Sequence, residues 1–205
     1  MIEINGLTKC YKNRIAVNEL SLKIDDGEIF GLLGLNGAGK TTTIKMLSGI
    51  AEPTKGSATV YGHALSDVEG LKSVIGISPQ ESAVSPVLTV KENLVFVATL
   101  YGFDNKDAKT RAENLMRKFD LIDRVKDKAK SLSGGLCRRL SIAMALISEP
   151  KVLFLDEPTL GLDILARREL WSIIKSLKKE MTVVLTTHYL EETEALCDKL
   201  SLIHI

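Results

Sequence analysis

The sequence predicts an α/β protein: a mostly parallel sheet, an N-terminal antiparallel β subdomain and an inserted helical subdomain. Three observations carry that prediction. Short apolar runs at Glu28–Leu33, Lys151–Leu155 and Thr182–Thr187 alternate with stretches of helical period. Ile15–Ile24 alternates roughly in steps of two, as a half-buried strand does. The middle of the chain shows helical spacing alone.

In order along the chain, strands are expected over Met1–Ile4 and Ile15–Ile24, with Asp25-Asp26-Gly27 as a turn. Glu28–Leu33 is a short apolar strand, followed by a glycine-rich loop and a helix over Lys40–Leu47. Ser57–Tyr61 and Ser73–Ser78 are further strands. Thr89-Val90-Lys91-Glu92 has capping-box spacing, so a helix starts near Val90 and runs to about Tyr101. Ala108, Ala112, Leu115, Met116 and Phe119 mark a second helix, and Leu136, Leu140, Ala143, Met144 and Ile147 a third. Residues 82–148 are therefore expected as a helical subdomain set into a core of residues 1–81 and 149–205, the whole forming one domain. Lys151–Leu155 reads as a strand covered on both faces. Ala166, Leu170, Ile174 and Leu177 give a helix face, Thr182–Thr187 a buried strand, Leu190 the start of a short helix, and Leu200–Ile205 a final strand. The charged stretch between Asp104 and Lys130 reads as solvated helix surface.

Composition narrows the function classes. The chain has 205 residues, 45% hydrophobic and 26% charged, the balance of a globular domain. Lys+Arg is 27 and Asp+Glu 26, so the net charge of +1 gives no electrostatic footprint for nucleic acid. Cys10, Cys137 and Cys197 form no CxxC pair and read as reduced thiols of a cytosolic protein. No run approaches the roughly 20 apolar residues that span a bilayer, and the N-terminus lacks the apolar run of a signal peptide. Any work at a membrane is expected through a partner.

The chemistry concentrates in two motifs. Gly34-Leu35-Asn36-Gly37-Ala38-Gly39-Lys40-Thr41 matches G-x-x-x-x-G-K-[ST] in full, between a strand and a helix. Its glycines let backbone N–H groups turn inward around an anion, and the helix N-terminus adds partial positive charge. Lys40 can reach β- and γ-phosphates, and the Thr41 hydroxyl can coordinate Mg²⁺. Gly34, Asn36, Gly37, Ala38, Gly39, Lys40, Thr41 and Thr42 are thus the expected contacts of ATP in a P-loop NTPase core. Val152-Leu153-Phe154-Leu155-Asp156-Glu157 is an apolar strand ending in two carboxylates. Beside a phosphate loop, Asp156 can hold the Mg²⁺ shell and Glu157 can orient an attacking water or accept its proton.

Leu132-Ser133-Gly134-Gly135-Leu136 opens the helix before the Asp156 strand, and here the sequence closely resembles the ABC-type ATPases, whose signature reads LSGGQ. The resemblance covers essentially the whole chain in the family's motif order. It implies that Tyr11 stacks on adenine, that Gln80 senses the γ-phosphate and Mg²⁺, that Gly161-Leu162-Asp163 contacts an opposite protomer, and that His188 meets the γ-phosphate. It further implies a site shared between two copies, with Ser133, Gly134 and Gly135 supplied across the interface and a homodimer closing on MgATP. Ser85–Phe103 resembles the corresponding segment of drug- and polysaccharide-exporter ATPases, which dock a membrane permease on this helical subdomain. The implied role is the ATP-hydrolysing motor of a transporter, cytoplasmic and peripheral on the inner face of the cell membrane. A soluble ABC-type ATPase acting on ribosomes or DNA is the alternative; such chains tend to be tandem, basic or split by long coiled coils. A nucleotide switch without turnover is a third reading, and Glu157 argues against it. Leu136 stands where the signature has glutamine, and Leu35 where a proline is common. Family domains usually continue past the strand expected to end at Ile205, a third departure from the family's pattern that leaves truncation at Ile205 open. His63 and His204 match no motif and read as structural.

Overall fold

The computed structural model describes residues 1–81 and 83–203. Strands β1 (Ile2–Tyr11), β2 (Arg14–Ile24) and β3 (Ile29–Leu33) precede helix α1 (Lys40–Leu47). Then come β4 (Lys55–Val60), β5 (His63–Ala64), α2 (Val68–Val74) and β6 (Ile75–Ser78). Helices α3 (Val90–Leu100), α4 (Asn105–Lys118) and α5 (Gly134–Ala145) follow. The last stretch alternates: β7 (Val152–Asp156), α6 (Ile164–Ser176), β8 (Thr182–Thr187), α7 (Leu190–Leu196) and β9 (Lys199–Leu202). The readings of His204 and of a strand end at Ile205 lie outside the described residues.

Two sheets form. The first is antiparallel in the order β2-β1-β4-β5, and the second parallel in the order β6-β7-β8-β3-β9. The parallel strands β3, β7 and β8 are buried along their whole length, which is why they read as unbroken apolar runs. Their side chains divide between two cores. Ile29, Leu153, Leu155, Val183 and Leu185 pack toward α3–α7. Phe30, Leu32, Val152, Phe154 and Val184 pack toward α1 and the antiparallel sheet. Register then fixes the site: Asp156 pairs with Thr186, and Leu33 with Thr187, so β7, β8 and β3 end side by side. Ligands of open parallel sheets bind outside this carboxyl edge.

The capping box of α3 forms as its spacing predicts: Glu92 N donates to Thr89 Oγ1 at 3.2 Å and Thr89 N to Glu92 Oε2 at 2.7 Å. Those backbone and side-chain bonds from Thr89 hold the Glu92 carboxyl below the usual range. The short strand β5 is not expected from the sequence, β9 ends at Leu202 with Ile203 outside it, and two further elements differ from the sequence expectation. β1 runs on to Tyr11 rather than stopping at Ile4, because Asn5-Gly6 makes a register shift, with Gly6 at φ 59, instead of a turn. Helix α2 takes Ser73 and Val74 from the expected strand. It buries only Leu71, too little to show a period, and starts on Asp67, whose Oδ1 accepts from Gly70 N at 3.0 Å. His63 serves this start, with Nδ1 2.8 Å from Asp67 Oδ2.

Candidate nucleotide site

The loop after β3 turns back on itself and enters α1 through Gly39, at φ 91. A Cβ there would stand 2.1 Å from the Ala16 carbonyl oxygen, and one on Gly34 2.7 Å from that of Ile203, so both positions need glycine for close backbone approach. Gly39 brings no side-chain cap to α1. The first-turn N–H groups of the helix are therefore left for an anion.

Lys40 is buried and its Nζ donates to the carbonyls of Gly34 at 2.8 Å and Leu35 at 3.1 Å. Its third contact is Glu157 Oε1 at 3.1 Å, and both side chains are less than a tenth exposed. Glu157 Oε2 lies 2.6 Å from His188 Nδ1. One carboxylate thus joins the phosphate loop to the end of β8. Asp156 Oδ1 accepts from Thr41 Oγ1 at 3.1 Å and from Thr186 Oγ1 at 2.6 Å. The Thr186 hydroxyl in turn accepts from Glu157 N at 2.9 Å. Glu157 sits at φ 48, a left-handed conformation that costs a non-glycine residue on the order of 1 kcal/mol or more and persists only where neighbours hold it.

Above this network lies a cavity of about 550 Å³. Of the sequence-predicted residues, Tyr11, Asn36, Gly37, Gly39, Lys40, Thr41, Thr42, Gln80, Glu157 and His188 line it. Gly34 and Ala38 shape the turn without lining the cavity, and Asp156 reaches it only through Thr41. Tyr11 is half-exposed at the end of β1, with Lys9 Nζ 5.1 Å from its ring centroid. Ser133, Gly134 and Gly135 are not among the lining residues. Ser133 caps α5 instead, its Oγ accepting from Leu136 N at 3.3 Å, while Ser133 and Gly134 face outward. Among the described residues no group of three His, Cys, Asp or Glu side chains could hold a metal by itself. Two hard oxygens, on Thr41 and Asp156, do meet at the phosphate end; this donor set fits Mg²⁺ completed by phosphate and water rather than a protein cage.

Three contributors escape a reading of motifs. Arg14 lines the cavity from the start of β2. Thr186 ties the two acids together; its signal is a pair of threonines that closes β8 after the aliphatic run Val183–Leu185. Arg138 is buried, though Arg138-Arg139 looks like a solvated basic pair. Burial pulls its guanidinium below the usual value, against the opposing charges of Asp156 and Glu192.

A family model described as ABC transporter matches residues 17–160. The chain belongs to the ABC transporter family. It is 42% identical over 205 residues to the linearmycin resistance ATP-binding protein LnrL of Bacillus subtilis, covering 99% of this chain and 66% of that one. It is 41% identical over 206 residues to the doxorubicin resistance ATP-binding protein DrrA of Mycobacterium tuberculosis, covering 98% and 62%. This ABC chain therefore spans about two thirds of the length of these relatives. A dimeric ATP-binding cassette in a post-hydrolysis state, bound to ADP and phosphate, superposes with a TM-score of 0.88 at 25% identity, over 100% of this chain and 94% of that chain.

Proposed function

We propose that this chain is the nucleotide-binding and ATP-hydrolysing part of an ABC transporter, acting with a second copy of itself and a separate membrane subunit. The observation that carries the reading is the single bonded chain from Thr41 through Asp156, Thr186 and Glu157 to Lys40 and His188 at one rim of the cavity. Adenine stacks on Tyr11, and the phosphates lie along the loop from Gly34 to Thr42. Lys40 neutralises charge on the transferring phosphoryl, and Gln80 and His188 meet the γ-phosphate. Glu157 orients the attacking water and takes its proton; His188, bonded to the other carboxylate oxygen, holds that side chain in place. Thr41, Asp156 and Gln80 would hold Mg²⁺, which when bound offsets phosphate charge.

Ser133, Gly134 and Gly135 complete the site of the opposite copy in this reading. The exposure of Ser133 and Gly134 at the start of α5, away from the Lys40 cavity, supports it, and so does the dimeric cassette that this chain resembles. Residues 82–148 then act as the lobe that meets the membrane subunit. A second cavity, of about 350 Å³, opens between this lobe and the core, lined by Ile50, Val68, Val97 and Tyr101 among others. Beside it Phe96, Leu100 and Tyr101 turn apolar surface outward, whereas Val95 is partly buried and packs against the core. No helix among the described residues is long and apolar enough to cross a membrane. The two-copy reading is checked by sedimentation of Glu157→Gln. MgATP is expected to shift it from monomer to dimer, and a variant that binds MgATP yet stays monomeric contradicts the reading.

A further inference from the structure

Arg138 stands one turn into α5 and is 8% exposed. Its guanidinium donates from Nε to the Pro158 carbonyl at 3.0 Å, from one terminal nitrogen to the Asp156 carbonyl at 2.7 Å, and from the other to the Pro79 carbonyl at 2.5 Å. No ion pair to a carboxylate accompanies these bonds among the described residues. A buried guanidinium that bonds a main-chain carbonyl from each of its three nitrogens is holding backbone in place. Two of the three carbonyls bracket Glu157, the residue at φ 48. The third belongs to the residue before Gln80. Thr186 holds Glu157 N from the opposite side, so the turn that aims Glu157 is gripped from both directions.

We propose that Arg138 is a positioning residue for hydrolysis: it fixes the backbone turn at Glu157 and sets the Gln80 segment against it, so that both side chains face the γ-phosphate in one geometry. This rests on the hydrolytic reading given above. Arg138 does not line the Lys40 cavity, so its effect falls on turnover rather than on nucleotide affinity. A lysine keeps the charge but is a point donor, unable to span three carbonyls in a plane.

The test is a double-substitution cycle of Arg138→Lys and Glu157→Gln, read by phosphate release, MgATP affinity and thermal melting of the whole chain. Glu157→Gln alone is read first; a loss there supports the hydrolytic reading, and its absence removes that reading and this proposal together. Arg138→Lys is then expected to melt as a folded protein, bind MgATP within about twofold of the parent, and lose about tenfold or more in turnover. In the Glu157→Gln background the same substitution is expected to cost little further, because residues acting as a unit are non-additive. Full turnover in Arg138→Lys overturns the positioning role. So do losses that multiply in the double variant while Glu157→Gln behaves as expected; those leave hydrolysis intact and place Arg138 elsewhere. If Arg138→Lys does not fold, Arg138→Gln, with two N–H donors on a shorter arm, enters the same cycle. Failure of both to fold overturns the proposal in favour of a purely structural arginine.

Discussion

The two ends of the parallel sheet carry similar numbers of charges and treat them in opposite ways. At the amino end, Lys199 on β9 pairs with Asp25 at 2.7 Å and Glu28 at 3.0 Å, and Lys178 pairs with Asp198, whose other oxygen accepts from Ile29 N at 3.0 Å. Lys199 and Asp25 are both more than half exposed. At the carboxyl end Lys40 and Glu157 meet at 3.1 Å with 5% and 7% exposure. Exposed pairs are screened and contribute little, whereas a buried pair holds energy only while every member has a partner. One end is a largely solvated brace in which Glu28 is the buried member. The other is a closed polar network whose members cannot be changed singly without loss, the arrangement expected where chemistry is done.

The comparison breaks at its strongest point if Lys40 is dispensable. Lys40→Ala removes the cation of both the phosphate loop and Glu157. Phosphate release is expected to fall by about 100-fold or more, with weaker MgATP binding; near-parent turnover would show the carboxyl-end network to be a brace as well. Thr186→Val is the intermediate case. It leaves the Glu157 N–H and the Asp156 carboxylate each short of a buried bond, at about 1–3 kcal/mol. That corresponds to a melting temperature lower by roughly 3–10 °C for a domain of this size.

Lys199→Ala is expected to be the smallest effect, below about 2 °C at neutral pH and smaller still in high salt. Its pH dependence has a defined sign. The hydrogen bond from Lys199 holds the Asp25 carboxyl below 3.8, so its share of stability is present above that value and lost as pH falls through the lower folded one. Bonds from Asp25 and Glu28 hold Lys199 above 10.5, so its share is present below that value and lost as pH rises through the higher folded one. Melting of parent and Lys199→Ala should therefore differ by a constant margin from about pH 5 to 9 and converge below about pH 4; a margin that grows in acid contradicts the pairing.

The carboxyl end was far more legible in the sequence than the rest. The octet around Lys40 and the strand before Glu157 specify both residue type and place, because phosphate chemistry needs a glycine turn, a lysine and two acids at the ends of buried strands. Strands β7 and β8 showed themselves by continuous burial. What stayed hidden depends on pairing between distant segments. Thr186 gains its role only from facing Asp156 across two strands. Arg138 gains its own only because α5 lies over the turns after β6 and β7. Helix α2 was hidden because one buried leucine makes no period, and the continuation of β1 because Gly6 imitates a turn.

The most direct test of the hydrolytic account is turnover and MgATP affinity of Glu157→Gln, measured side by side on the parent chain. The substitution keeps the shape and removes the charge of a carboxylate that touches both Lys40 and His188. The account predicts phosphate release lower by about 100-fold or more, in the range of a lost general base, with MgATP bound at least as tightly as by the parent. Parental turnover in that variant would contradict it.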